Sequence, residues 1–131
     1  FPYYENESIH HNSRSGVMAR CKDCHVPKEF FPKMRTKMKA MLVEVPGHLT
    51  GRIATEEKFE AHKLEMAEKV WARMKANDSK QCRNCHKYEA MSAELQDRYA
   101  QRRHSAEYRE KTGRTCIDCH KGVAHELPDD M

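Results

Sequence analysis

Residues 21–25 read Cys-Lys-Asp-Cys-His, and the same pattern returns as Cys-Arg-Asn-Cys-His at 82–86 and as Cys-Ile-Asp-Cys-His at 116–120. Cys-x-x-Cys-His is the attachment site of a c-type haem. Its two thiols bond to the vinyl groups of the porphyrin, and its histidine binds the iron. The three copies therefore predict three covalent haems c and a fold arranged around them.

The pattern assigns a role to each of its residues. Thioether attachment is predicted for all six cysteines of the chain, which are Cys21, Cys24, Cys82, Cys85, Cys116 and Cys119. The predicted proximal iron ligands are the motif histidines His25, His86 and His120. Since no other cysteine exists, a disulfide and a catalytic thiol are both excluded.

A Cys-x-x-Cys pair also occurs in zinc sites and in redox dithiols. Neither kind of site requires a histidine directly after the second cysteine. Only nine of the 131 residues are histidine, so three chance occurrences at that position are improbable. A zinc site built from two of the pairs would also leave the third without a role. A structural zinc protein is the weaker alternative, and a Soret absorption band would exclude it.

The composition is that of a chain with a thin protein core. Hydrophobic residues make up 38% and charged residues 34% of the sequence, with a mean hydropathy of −0.98. Each porphyrin adds a large apolar disc that polypeptide can cover. We therefore expect one triheme cytochrome c domain over residues 1–131, mostly α and compact, with helices and loops wrapped around three closely packed haems. Folding should depend on haem attachment.

The net charge does not identify a partner. The formal charge of +4 is offset by the two propionates of each haem, so it gives no support for binding to nucleic acid. The basic run from Lys28 to Lys39 is either the solvated face of a helix or a local docking patch. No stretch of 18 or more apolar residues is present, so the sequence predicts no membrane span.

Hydrophobic periodicity predicts three helices and no strand. The first has a stripe of Phe30, Met34, Met38 and Met41, and should end at Pro46-Gly47. The second runs from about Thr55, a potential N-cap, to Ala76. The third spans about Tyr88 to Arg102, with an inward stripe of Met91, Leu95 and Tyr99.

Six histidines outside the motifs are available as distal iron ligands: His10, His11, His48, His62, His104 and His125. His125 follows His120 by only five residues. A second ligand to one iron lies across the porphyrin plane, about 4 Å away nitrogen to nitrogen, and a short connection passes the ring edge with difficulty. His125 is therefore expected to bind the iron of a different haem. For the other five, a surface position is the alternative.

Several segments together resemble the NapC/NirT family of multihaem quinol dehydrogenases. They cover nearly the whole chain and lie at residues 11–17, 21–27, 58–62, 71–75, 81–86 and 115–128. The last of them, from Thr115 to Pro128, is similar to the family's C-terminal haem block. The three haem blocks are the most specific part of this resemblance.

The resemblance implies a periplasmic, mostly helical electron carrier. In this family electrons pass from membrane quinol to terminal reductases of the nitrate, nitrite and N- or S-oxide types. A periplasmic reductase or another cytochrome is thus the expected partner, and the chain is expected to be a carrier and not an enzyme. The alternative function is a multihaem enzyme with one open haem site.

The resemblance also implies a set of distal ligands. It pairs His125 with the haem of His86, and His11 with the haem of His120. For the haem of His25 it suggests His104, with His62 as the rival.

One departure from the family concerns the beginning of the chain. Relatives usually have an N-terminal membrane helix and a further haem motif before the segment that starts in this chain at Phe1. We expect either a processed fragment of a membrane-anchored protein or a natural triheme carrier. Because the family meets quinol through that N-terminal part, residues 1–131 on their own should react poorly with quinol.

Overall fold

A computed structural model describes residues 2–129 and 131, and this part of the chain is helical with no strand. The mostly-α expectation is therefore confirmed. Eight α-helices follow one another: α1 Pro2–Asn6, α2 Cys21–His25, α3 Phe30–Lys39, α4 Val45–Leu49, α5 Glu56–Ala76, α6 Lys80–Arg83, α7 Arg98–His104 and α8 Ala106–Thr112. The chain folds as two units, Phe1–Val70 with Gly122–Met131, and Trp71–Lys121. A single triheme domain over all 131 residues stays a prediction.

The first unit joins the two ends of the chain. The hydroxyl of Tyr3 donates to the Gly122 carbonyl at 3.0 Å, and that of Ser8 donates to the Val123 carbonyl at 2.8 Å. Ser8 is buried. These bonds anchor the segment that carries His125 to the N-terminal turn.

The first predicted helix does not end at Pro46-Gly47. After α3 the backbone widens into one π-helical turn, Ala40–Glu44, and the Val45 N–H bonds to the Ala40 carbonyl. A new α-helix, α4, begins after this wider turn, and Pro46 lies in its first turn. The N–H that proline lacks is not needed there, because the first N–H groups of a helix have no partner within the helix. The helical path therefore continues to Leu49.

The second predicted helix is confirmed as α5. The Thr55 hydroxyl accepts from the Lys58 N–H at 3.4 Å, and Glu56 and Glu57 occupy the first turn, where negative charge suits the helix dipole. The residues of α5 up to Val70 belong to the first unit, and those from Trp71 onward to the second.

The third predicted helix is wrong over most of its length. Two short 3₁₀ turns, Tyr88–Ala90 and Ala93–Leu95, replace it before α7 begins. Asp97 caps α7 by accepting from the Ala100 N–H at 2.8 Å, and it thereby sets a helix start inside the predicted span. Leu95 is 89% exposed, so the predicted inward stripe is wrong there as well.

Ser79 organises the second unit. It is fully buried and adopts the left-handed region at φ 48°. Its hydroxyl donates to the Thr115 hydroxyl at 3.0 Å and accepts from the Ile117 N–H at 3.1 Å. Ser79 therefore connects the segment before the second Cys-x-x-Cys-His motif to the third motif.

The protein core of the described residues is thin, as the composition predicts. Met74 and Ile117 are its buried hydrophobic side chains. By contrast, Phe30, Phe31 and Leu42 are more than 60% exposed. Apolar surface on this scale is available to a large apolar cofactor.

Candidate haem-binding site

Each of the three motifs forms a tight backbone turn. The first motif is α2 itself, whose start is stabilised by the Arg20 N–H donating to the Asp23 carboxylate at 2.9 Å. One helical turn places residues three apart on the same face, so Cys21 and Cys24 lie on one side of α2. This is the placement that two thioether bonds to one porphyrin need.

The other two motifs repeat this turn by backbone hydrogen bonds to their first cysteine. His86 N–H donates to the Cys82 carbonyl at 2.8 Å, and His120 N–H donates to the Cys116 carbonyl at 2.9 Å. All six thiols are free of disulfides. The cysteines and the following histidine of each motif are therefore held on one compact loop.

Asp118 stabilises the third motif from within. Its carboxylate accepts from the Thr115 N–H at 2.8 Å and from the Lys75 ammonium at 2.8 Å. Burial raises the pKa of Asp118, but the bonds from Lys75 and Thr115 outweigh it, so the pKa lies below its usual value. The Asp118 charge is thus compensated next to the predicted haem site.

The structure brings His125 to the first motif. The ring centroids of His25 and His125 are 5.9 Å apart, with the planes at 63°. The family resemblance pairs His125 with the haem of His86, whereas this ring contact favours the haem of His25. Both histidines belong to the first unit.

His104 lies beside the third motif. Its ring centroid is 5.9 Å from that of His120, with the planes at 24°. Its Nδ1 bonds to the Gln96 side-chain oxygen at 2.9 Å. The family resemblance suggests the haem of His25 for His104, whereas the observed contact favours that of His120.

The two ring separations suit histidines that share an iron. Two imidazole nitrogens bound to one metal lie about 4 Å apart, and each centroid lies about 1 Å further out, which gives about 6 Å between centroids. The separation of 5.9 Å in both pairs is close to this value. A zinc site needs about four protein ligands, and no group of three or more His, Cys, Asp or Glu side chains is arranged for a metal among residues 2–129 and 131.

Ring-nitrogen bonding shows how the remaining histidines are oriented. Nδ1 of His10 bonds to the Val123 carbonyl at 3.2 Å, and Nδ1 of His62 bonds to the Lys58 carbonyl at 2.8 Å. Since a carbonyl oxygen only accepts, Nδ1 is the donor in both bonds, and metal-ligating histidines commonly donate one ring N–H to a backbone carbonyl in this way. His10 is thereby held as a ligand would be, although the family resemblance favours His11.

His11 lies in a different environment. Its ring packs edge-on against Tyr4 with centroids 5.3 Å apart, and its Nδ1 bonds to the side-chain oxygen of Asn12 at 3.1 Å. Its pairing with the haem of His120 stays a prediction.

Sequence analysis missed a group of cationic and aromatic side chains around the third motif. Arg103 Nη1 donates to Cys119 Sγ at 3.7 Å, and the Tyr88 hydroxyl lies 3.8 Å from Cys116 Sγ. The Arg109 guanidinium lies 3.7 Å above the Tyr88 ring. Burial, followed by the contact with Cys116, raises the pKa of Tyr88 to about 12, so the phenol stays protonated. No periodicity in the sequence indicates these contacts.

The donor set and the surface both fit c-type haem. Two thiols and an imidazole lie together on each of the three motif turns, and exposed apolar side chains follow the first motif from Phe30 onward. A bound haem would be held by these cysteines and histidines and would supply a one-electron iron couple. Within the part of the chain that the structure describes, no helix combines the length and the apolar character needed to cross a bilayer.

The chain matches relatives over nearly its whole length. It is 54% identical over 129 residues to the cytochrome c-type protein NapC of Haemophilus influenzae, which covers 98% of the chain and 62% of that relative. It is 47% identical over 131 residues to the denitrification system component NirT of Stutzerimonas stutzeri, which covers 100% and 63%. A putative tetraheme cytochrome c of Allochromatium vinosum is 50% identical over 122 residues, covering 93% and 65%.

The chain thus spans a little over three-fifths of the length of these relatives. No solved structure matches it. The family description "NapC/NirT cytochrome c family, N-terminal region" matches residues 3–130. On this match and these identities, the chain belongs to the NapC/NirT cytochrome c family.

Proposed function

We propose that this chain is an electron-transfer segment that carries three covalently attached c-type haems. The observation that carries the proposal is the combination of three Cys-x-x-Cys-His turns with a second histidine ring beside His25 and beside His120. An iron with two imidazole ligands has no open position for a substrate, which suits a carrier better than an enzyme.

Two ring contacts support two of the proposed ligand pairs. His25 and His125 would hold the iron of the first motif, and His120 and His104 that of the third. His10, His11 and His62 are the further candidate ligands. His10 and His62 are each held at Nδ1 by a backbone carbonyl, which directs Nε2 away from the backbone.

Other parts of the chain hold these histidines in position and offer apolar surface to a haem. The motif turns hold each histidine next to its two thiols, and Gln96 holds the His104 ring through its bond to Nδ1. Exposed apolar side chains of α3 and of the turn after it would cover a porphyrin face. The many lysines and arginines keep the remaining surface solvated.

Family membership also supports a cellular location and a class of redox partner for this chain. We place the chain in the periplasm, as part of a protein that the membrane anchors in its full-length form. It would receive electrons originating from quinol through residues outside this segment. It would pass them to a periplasmic reductase of the nitrate, nitrite or N- or S-oxide type, or to another cytochrome.

Absorption and electron paramagnetic resonance spectra of the purified holoprotein test this proposal. Three low-spin haems are expected, together with rapid oxidation of the reduced protein by a periplasmic reductase in stopped flow. A high-spin component that binds small ligands would instead support the enzyme alternative with one open haem site. Absence of a Soret band would contradict haem binding altogether.

A further inference from the structure

The guanidinium of Arg103 is fixed beside the third motif. Its Cζ lies 4.0 Å from the ring centroid of Tyr99 and 5.7 Å from that of Tyr108, while Nη1 reaches Cys119 Sγ at 3.7 Å. A planar guanidinium stacks well on aromatic faces, and the two tyrosines limit the conformations open to its side chain. The partly buried Arg103 is therefore a positioned charge and not a freely solvated one.

The nearby charges do not cancel it. Asp118, the carboxylate within the same motif, forms an ion pair with Lys75 at 2.8 Å. A second guanidinium, that of Arg109, lies 3.7 Å above the ring of Tyr88, and its Nε is buried without a hydrogen-bond partner. The Tyr88 hydroxyl in turn meets Cys116 at 3.8 Å. One guanidinium thus contacts Cys119, and a second lies on the tyrosine that contacts Cys116.

A fixed cation favours the reduced form of a nearby iron. Reduction of ferric to ferrous iron adds one electron, taken from whatever donor reduces the protein, and lowers the charge of the site by one. The Coulomb energy of that change is favourable next to a positive group, and more so where solvent screens poorly. Arginine keeps its charge at every working pH.

We propose that Arg103 raises the reduction potential of the haem attached at Cys116 and Cys119, and so sets that haem's place in the order of electron transfer. This inference rests on the proposed haem attachment. Arg103 would act on a haem held at Cys119 through the electric field of its guanidinium, so it is a tuning residue and not an iron ligand.

The test is a spectroelectrochemical titration of the triheme holoprotein. Arg103→Gln should shift one of the three one-electron components to lower potential and leave the other two unchanged. Arg103→Lys, which keeps a charge but loses the stacking plane, should restore part of the shift. Arg102→Gln removes an equal charge from the exposed neighbouring residue and should shift no component measurably.

Salt distinguishes the fixed charge from a general surface effect. The shift in Arg103→Gln should persist at high ionic strength, because a partly buried charge is screened less than an exposed one. An unchanged titration in Arg103→Gln, or an equal shift in Arg102→Gln, would overturn the inference.

Intact-mass measurement distinguishes failure of the tuning role of Arg103 from failure of the proposed haem attachment. A variant that still holds three haems but shows no shift contradicts only the tuning role, whereas a wild-type protein without haem contradicts the proposed function. If Arg103→Gln does not fold, Tyr99→Leu removes one stacking partner and should give a smaller shift in the same direction. No shift in that variant would count against the inference.

Discussion

The imidazole ring of His125 lies 5.9 Å from that of His25, centroid to centroid, although the two residues stand near opposite ends of the chain. The N-terminal turn makes this possible, because Tyr3 and Ser8 bond to the backbone at Gly122 and Val123. The contact links the C-terminal segment to the first motif within one unit. It also makes His125 the most informative position to mutate.

His125→Ala should convert one low-spin haem into a high-spin haem while all three stay attached. The physical reason is that, under the proposed pairing, the iron of the first motif would lose its second imidazole and keep His25. Electron paramagnetic resonance measures the spin state, and intact mass counts the haems. His48→Ala removes an exposed histidine of α4 and serves as the control, with three low-spin haems expected.

A triple variant tests which haem His125 serves. In a background with Cys21 and Cys24 changed to alanine, the first haem is absent, so adding His125→Ala should create no further high-spin haem. A high-spin haem in this background would assign His125 to the haem of His86, as the family resemblance implies.

His104→Ala should have the same effect on the third haem. Its Nδ1 is bonded to the Gln96 side chain at 2.9 Å, which fixes the ring orientation. Gln96→Leu removes that bond but keeps the ligand, so we expect low spin with altered g-values, whereas His104→Ala gives high spin. If the third haem stays low-spin in His104→Ala, its distal ligand is not His104, and His11 or His10 becomes the candidate.

The haem motifs and α5 could be predicted from sequence because their signals are local. Cys-x-x-Cys-His is a contiguous pattern, and α5 has an N-cap at Thr55 and a long apolar period. The pattern from Tyr88 to Arg102 has an equally helical period, yet the cap at Asp97 divides it. The π-helical turn before Pro46 could not be predicted either. It changes the pattern of backbone hydrogen bonds, and no residue type in the sequence marks it.

The histidine ring contacts could not be predicted from sequence, because they join distant segments of the chain. The short spacing of five positions from His120 to His125 predicts that His125 serves another motif, but it carries no information on which one. The Arg103 contacts with Tyr99, Tyr108 and Cys119 likewise arise only when α7, α8 and the third motif pack together.

Ser79→Ala should destabilise the holoprotein by about 1–3 kcal/mol, because the buried Ile117 N–H loses its acceptor and the half-buried Thr115 hydroxyl loses its bond to Ser79. Ser79→Gly loses the same bonds but relieves the left-handed backbone at φ 48°, so it should be more stable than the alanine variant by roughly 1 kcal/mol. Chemical denaturation followed by far-UV circular dichroism measures both. Ser92→Ala, at an exposed position, is the control and should change stability by less than about 0.5 kcal/mol. Equal stability of all three variants would contradict the linking role of Ser79.

Intact mass under denaturing conditions should exceed that of the 131-residue polypeptide by three haem masses, because each motif supplies two free thiols. Changing both cysteines of one motif to alanine should remove one haem mass and leave two. Loss of more than one haem would show that attachment at one motif depends on another. A mass equal to that of the bare chain would rule out covalent haem.

Salt should slow electron transfer to an acidic redox partner if the basic run from Lys28 to Lys39 is a docking patch. Most of its five cationic side chains are exposed: Lys28, Arg35, Lys37 and Lys39, with Lys33 half-buried. Positive charge grouped on one surface steers association with a negative partner, and added ions screen that attraction.

Changing Lys37 and Lys39 to glutamate should therefore lower the bimolecular rate constant several-fold at low ionic strength and have little effect at high ionic strength. Lys111→Glu, at an exposed position of α8, supplies a control with a charge reversal outside the run. Stopped-flow oxidation of the reduced holoprotein gives the rate constants, and equal salt dependence in the wild type and the Lys37/Lys39 variant would assign the run to a merely solvated helix face.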